Sequence, residues 1–415
     1  MKNLFTLSAA LMVAFSAVAA EDVSVVWAGS EPVFKAAAIS PNNKWVCGDH
    51  VIWNLESGEI ASCTSEEVRL LSVADNGKAV GYVGDFAIVV DPSGSLNFFD
   101  DTTFSIYSTA RGISADGSII VGSRFDDAYR QTACYWENGT YHELPVPDAP
   151  EDIPADVEIY SVATRGISED GSVIVGNILT GTSAEAVIMW TRTDSGEYEF
   201  HPLYAGLMEF GWEMEKPYIQ MSAQSISSNG KWISLILQLN DFDDITYYAG
   251  RYNVETGEVE CAELPDDNLA YYTGDYYVTG ISDNGTAVGF VEQEEMSMFG
   301  RQSFIWTSDS DMLELLSTYC DGNTEISALE NNDALVYTAI NGNSDIITGF
   351  TVIDGVSNSF VINLDSSHSA VSTIETGKED IKSMYDLQGR PVNGKPAPGI
   401  YIVTEEGKTH KVLVK

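Results

Sequence analysis

The chain alternates apolar and polar residues over short runs broken by Asn, Asp and Gly. The clearest run is Gly112-Ile113-Ser114-Ala115-Asp116-Gly117-Ser118-Ile119-Ile120-Val121-Gly122. Two β-branched segments flanking a polar pair predict two antiparallel strands joined by a tight turn at Asp116-Gly117. A near copy runs from Gly166 to Gly176, and weaker copies centre on Ile39, Val73, Ile226, Ile281 and Ile340. Aligned on Ile113, all seven copies carry a β-branched aliphatic, a small residue before it, and Asn or Asp three places after it. Gly follows in five copies, at 77, 117, 171, 230 and 285, where it supplies positive φ without steric cost.

Each copy continues into a second hairpin with one large side chain: Trp53, Val90, Trp136, Trp190, Tyr252, Trp306 or Ile362. A polar residue and another turn follow, as in Asn138-Gly139 and Ser195-Gly196. Four antiparallel strands per copy, at spacings of 34 to 59 residues, predict an all-β chain. The expected architecture is a seven-bladed β-propeller with a small C-terminal β module. Six blades result if the Val73 copy is spurious, and eight is the other alternative. The small residue suits an innermost strand crowded against the axis, and the recurrent Trp suits the wedge between blades. Val23-Ser24-Val25-Val26-Trp27 is expected to close the ring by adding the outer strand to the blade that ends near Leu364. Residues 370–374 are the local alternative.

The repeat, with Ala133-Cys134-Tyr135-Trp136-Glu137-Asn138-Gly139 after it, resembles the bacterial extracellular (HAF-type) repeat propellers. The resemblance spans about residues 33–365 and is clearest at 104–144 and 158–203. It departs most in the copy beginning near Thr324, where Asn343-Ser344 replaces Asp-Gly. It implies a propeller and an exported location, and no single activity.

Residues 1–20 read as a secretory signal: Lys2, an apolar run from Leu4 to Val18, then Ala17-Val18-Ala19-Ala20. No other stretch is long and apolar enough to span a bilayer. The propeller is assigned to 21–365, a Ser/Thr-rich linker to 366–380, and a β tail to 381–415. Residues 378–415 carry seven Lys or Arg against five Asp or Glu, whereas the chain as a whole carries a formal charge of −41. Tyr385-Asp386-Leu387-Gln388-Gly389-Arg390, Gly399-Ile400-Tyr401-Ile402-Val403 and Lys411-Val412-Leu413-Val414-Lys415 resemble the C-terminal sorting domain of the type IX secretion system of Bacteroidetes. The resemblance implies display at the cell surface or secretion.

The acidic field disfavours nucleic acid as a partner and favours cations or basic partners. The five cysteines, at 47, 63, 134, 261 and 320, lack metal-ligand spacing, and Cys47 with Cys63 can bridge one blade. No metalloprotease helix, nucleophile elbow or phosphate loop occurs. His142 and His201 hold equivalent outer-strand positions and read as repeat structure. Asp241-Phe242-Asp243-Asp244 and Asp126-Asp127 offer oxygen ligands for calcium without a complete loop signature, and no other cofactor is indicated.

Long segments at 145–163, 178–185, 201–223, 238–247, 265–273 and 291–301 collect on the face opposite the Asn/Asp turns. Trp212, Tyr218, Tyr247, Tyr271, Tyr272 and Tyr276 on this face are candidates for stacking on sugar rings. Arg111 and Arg165 share one inner-strand position and are candidates for an anion at the channel. The expected function is non-catalytic binding of a glycan or surface protein by a monomer. The rivals are a polysaccharide lyase or hydrolase working on the same face, and a purely structural surface protein.

Overall fold

The computed structural model describes residues 23–29, 32–99, 107–125, 130–147, 159–180, 185–203, 219–241, 244–263, 274–293, 301–332, 334–364, 372–374, 383–385, 399–405 and 408–414. The expected signal, residues 1–20, lies outside them.

Every copy of the repeat folds as an antiparallel sheet. Copy 3 shows the plan: Ser108–Ile113, Ile119–Phe125, Gln131–Glu137 and Thr140–Glu143 pair in sequence order. Copies 1, 2, 4 and 5 repeat it, and copies 3 and 4 touch through a parallel bridge between Gln131 and Ser161. Copy 6 has three strands, with an antiparallel bridge from Ile305 to Glu314 at its outer side. Copy 7 supplies Val336–Ile340, Ile346–Ile353 and Val356–Asn363, and its fourth strand is Ser24–Trp27 from the far end of the chain. The register runs from Ser24 opposite Asn363 to Trp27 opposite Phe360. The edge of the last sheet is thus covered by the first strand.

Burial is divided among seams between consecutive sheets. Val73 and Ile88 of copy 2 pack with Cys47 and Ile52 of copy 1. Trp136 packs back on Ala74 and Val80, Trp190 on Ile119 and Val121, and Trp306 on Ala249. Copies 4 and 5 meet through Val175 and Leu235, copies 6 and 7 through Ile305 and Phe360. The sequence of seams returns to its start, because Trp53 and Val46 of copy 1 pack with Val361 of copy 7. The large third-strand side chains fill the wedges between consecutive sheets. Four such seams turn on a Trp, and truncating a buried Trp costs about 3–5 kcal/mol.

A second circle of contacts runs through the Asn/Asp turns. Asn42 N–H donates to Asp75 Oδ1 at 2.8 Å, Asp75 N–H to Ala115 O at 2.9 Å, and Ala115 N–H to Glu169 O at 2.8 Å. Glu169 N–H continues to Ser228 O at 2.8 Å, Asn229 N–H to Asp283 Oδ1 at 2.8 Å, and Asp283 N–H to Gly342 O at 2.9 Å. Asn341 Nδ2 donates to Asn43 Oδ1 and completes the circuit.

The turns are wider than the expected two-residue pair. Gly117 N–H donates to Ser114 O at 2.9 Å, and Ser114 N–H to Ile119 O, so four residues lie between the hydrogen-bonded Ser114 and Ile119. Gly117 then takes φ +75°, the left-handed value that glycine reaches freely. The Ser in front of the turn is an unanticipated structural part. Ser114 Oγ donates to Asp116 Oδ1 at 2.8 Å and accepts from Ile119 N–H at 3.0 Å. Ser40, Ser168 and Ser227 do the same, and all are buried.

Copy 7 does not begin with a strand at Thr324. Leu316–Tyr319 and Thr324–Glu330 are short helices, and the first strand starts at Val336. Asn323 caps the second helix by accepting from Glu325 N–H and Ile326 N–H, and Ile326 and Leu329 bury its inner side. Cys47 and Cys63 form no bridge, and all five thiols are free. Burial drives the Cys47 thiol far above its usual range.

In the tail, Gly399–Glu405 pairs with Lys408–Val414 and with Ser383–Tyr385, both antiparallel. Ser372–Ile374, inside the stretch read as a linker, adds a parallel strand on Lys408–Val414. Among the described residues no helix is long and apolar enough to cross a membrane.

Candidate functional site

The first strand of six copies is broken by a register shift at one equivalent point. The shift falls between Leu70 and Ser72, Ala110 and Gly112, Thr164 and Gly166, Ala223 and Ser225, Val278 and Gly280, and Tyr337 and Ala339. The skipped residues are Leu71, Arg111, Arg165, Gln224, Thr279 and Thr338. A bulge leaves one residue unpaired and re-aims its side chain. All six, with Ala37 of copy 1, line a single cavity of about 230 Å³ on the axis.

Four motifs end in Val-Gly, at 80–81, 121–122, 175–176 and 288–289. In copy 3 a Cβ on Gly122 would lie 2.1 Å from Thr109 O and 2.9 Å from the Trp136 ring. Only glycine fits there.

The cavity has a polar gradient. Arg111 and Arg165 stand on adjacent sheets in its wall. Burial first, and the Arg165 charge second, lower the pKa of the Arg111 guanidinium, with Tyr82 acting in the opposite sense. Arg111 Nε is buried without a hydrogen-bond partner among the described residues. Toward the Asn/Asp turns the wall becomes acidic. Burial, then the charges of Asp283, Asp75 and Asp170, raise the Glu169 carboxyl. Toward the opposite end the cavity shares Ala37, Leu71, Thr279 and Thr338 with a wider space of about 350 Å³, lined also by Lys35, Arg69, Asp49 and Phe350. There Lys35 Nζ lies 5.3 Å from the Phe350 ring centre, and Arg69 Nε lies 3.7 Å from Asp49 Oδ1.

The aromatic candidates separate. Trp212, Tyr218, Tyr271 and Tyr272 lie outside the described residues, as do most of the long segments. Tyr276 is a core residue, 3 % exposed and packed with Val278, Phe304 and Trp306, so its ring is not on the ligand face. Its neighbour Tyr277 points to the other side of the strand, 6.4 Å from the Tyr247 ring and 5.1 Å from Phe290. Tyr247 is half-buried in this short stack. His142 stacks on Tyr135 at 4.7 Å, and His201 Nε2 lies 2.7 Å from Thr191 Oγ1, so the two histidines serve different local contacts. Asp126, Asp127, Phe242 and Asp243 of the calcium candidates lie outside the described residues.

No family model and no curated protein matches the chain. Solved structures with similar folds include an oligogalacturonate lyase in complex with manganese, at 9% identity over 84% of this chain and 98% of that one, with a TM-score of 0.47. The Dos1 propeller is similar at 11% identity over 83% and 95% of the two chains, with a TM-score of 0.43. TolB from Acinetobacter baumannii is similar at 11% identity and a TM-score of 0.38; the match covers 69% of this chain and spans 63% of that one.

Proposed function

We propose that this chain is an exported, seven-bladed β-propeller that acts as a non-catalytic binding module for a glycan or a surface protein. On this reading the seven copies are the blades, residues 21–365 form the ring, and 1–20 are removed on export. The ligand arrives at the end opposite the Asn/Asp turns, where the long segments collect. The observation that carries the reading is the axial cavity. Its wall includes the bulged residue of six copies together with Ala37 of the first, and two guanidinium groups stand in it although the chain carries a formal charge of −41. A strand that needed only to pack would not require the bulge.

The test is binding on a glycan array and on cell-surface extracts, alongside turnover on a polysaccharide panel. Binding without turnover is expected. Consumption of a polysaccharide would replace the reading with the lyase or hydrolase one, and an array and extract without any ligand would leave the structural role. Trp212→Ala with Tyr272→Ala reports separately on the long segments. The tail is proposed to direct surface display, so truncation at Gly377 is expected to abolish it; intact display would remove that assignment.

A further inference from the structure

We propose that the axial cavity is a sugar-acid site, taking a monosaccharide-sized polyhydroxy carboxylate with its carboxylate between Arg111 and Arg165. This inference rests on the binding-module reading and names its ligand class.

The two guanidinium groups, each partly buried, stand on adjacent sheets in the wall of one cavity. Like charges held together at low dielectric repel, and burial adds to the cost. The loss of proton affinity at Arg111 records both effects. Nothing in the packing demands this arrangement, because copies 1 and 2 place Ala37 and Leu71 at the same point without loss of the sheet. A carboxylate offsets both costs, and it supplies an acceptor for the buried Arg111 Nε.

The rest of the wall selects what the carboxylate is attached to. Gln224, Thr279 and Thr338 form a neutral polar arc beside the arginines, while Leu71 and Ala37 form an apolar one. Thr279 Oγ1 donates to Tyr337 O at 2.7 Å, and Thr338 Oγ1 to Thr348 O at 3.2 Å. Each hydroxyl oxygen is thereby turned toward accepting, which suits ligand hydroxyl groups. At about 230 Å³ the cavity is of the size of one sugar ring.

The charge gradient orients entry. Lys35 and the Arg69–Asp49 pair line the outer space, and Glu169 lines the cavity on the side of the Asn/Asp turns. An anion is therefore drawn in from the long-segment end and stopped at the arginines. Lone sugar acids fit directly, and a uronate at the end of a glycan fits if its chain exits through the outer space.

The experiment is calorimetric titration of the full mature chain with glucuronate, galacturonate, the two parent hexoses, and inorganic sulfate. Binding of at least one uronate is expected, tenfold or more tighter than its hexose and than sulfate, and weakening with salt. Arg111→Gln and Arg165→Gln are each expected to weaken it by roughly 10- to 100-fold while melting no lower than the parent. The inference is overturned if the hexose or sulfate binds as tightly as the uronate, if no uronate binds, or if a folded Arg111→Gln chain binds the uronate like the parent. Should Arg111→Gln fail to fold, Gln224→Ala reads the hydroxyl side of the same site, and unchanged uronate affinity there overturns the polyhydroxy assignment. The broader reading fails separately. A glycan retained by Arg111→Gln but lost with Trp212→Ala and Tyr272→Ala keeps the binding module and removes this site. Turnover of a bound uronide keeps the site and removes the non-catalytic role.

Discussion

The side-chain amide of Asn341 donates to Asn43 Oδ1 at 3.1 Å across 298 residues of chain. It is the turn-level closure of the same junction that Ser24–Trp27 closes at the outer edge of the last sheet. Asn43 stands at a left-handed φ of +63° in a copy that lacks the turn glycine. Asn tolerates that conformation, and its side chain provides the acceptor that glycine would not.

Removing the strand Ser24–Trp27 is expected to damage the whole ring more than any single turn. Its loss uncovers the edge of Val356–Asn363 and strips neighbours from Phe360, which Trp27 meets edge-on at 5.7 Å. A chain beginning after Trp27 should melt several degrees lower and elute partly as oligomers by size-exclusion chromatography. Asn341→Ala, which spares the strand, should stay monodisperse with a smaller loss.

Ser114→Ala is expected to cost about 1–3 kcal/mol, because it leaves the Ile119 N–H without its acceptor in a buried setting. Ser195→Ala, on an exposed outer turn, should stay within about 0.5 kcal/mol. Denaturant titration of both variants measures the difference. Equal effects would remove the serine from the ring's structural parts.

Gly122→Ala is expected to be among the most damaging single-methyl additions in the chain. Backbone at Thr109 and the Trp136 ring both occupy the space its Cβ needs, and neither is a flexible side-chain end. We expect soluble yield to fall sharply, with loss of the near-ultraviolet signal of the Trp136 seam. Copy 5 carries Leu235 at the equivalent point, opposite Ala223, so the reciprocal Leu235→Gly tests how that copy bends differently.

Two carboxyl groups give opposite pH dependence. The Ser118 N–H and hydroxyl and the Ser114 hydroxyl hold the Asp116 carboxyl below the usual aspartate range. Its contribution is therefore complete above about pH 3.9 and is lost as pH falls through the lower folded value. Asp116→Asn should lower the melting temperature at neutral pH and make no difference in strong acid. Burial raises Glu330, which accepts from Ser317 N–H at 3.1 Å. The cost of ionising it is absent below about pH 4.3 and grows as pH rises. Glu330→Gln keeps an acceptor and should raise the melting temperature near pH 7.5 while matching the parent near pH 4.

The sheets and their turns are legible in the sequence because two local rules coincide in every copy. Alternation sets the strand, and Asn or Asp, followed by Gly in five copies, sets the turn. The seams are legible through the third-strand Trp, since a side chain so large has few other places to go. The bulge is not legible. Arg111, Gln224 and Thr338 share no chemistry, and what they share is an extra residue in the pairing of two strands. The helix at Thr324–Glu330 is hidden for a related reason: seven residues hold too few periods to distinguish Ile326 and Leu329 from a strand pattern. Tyr276 and Tyr277 differ only in parity along one strand, so one enters the core and the other stacks outside it.

The bulges have a consequence for how such a ring can change. Because each presents one side chain from a backbone that the neighbouring positions already specify, its identity can be rewritten alone. The present wording, Leu71, Arg111, Arg165, Gln224, Thr279 and Thr338, is one setting of a six-place lock. A single codon at any place would recut the key, and the scaffold around it would stay as it is.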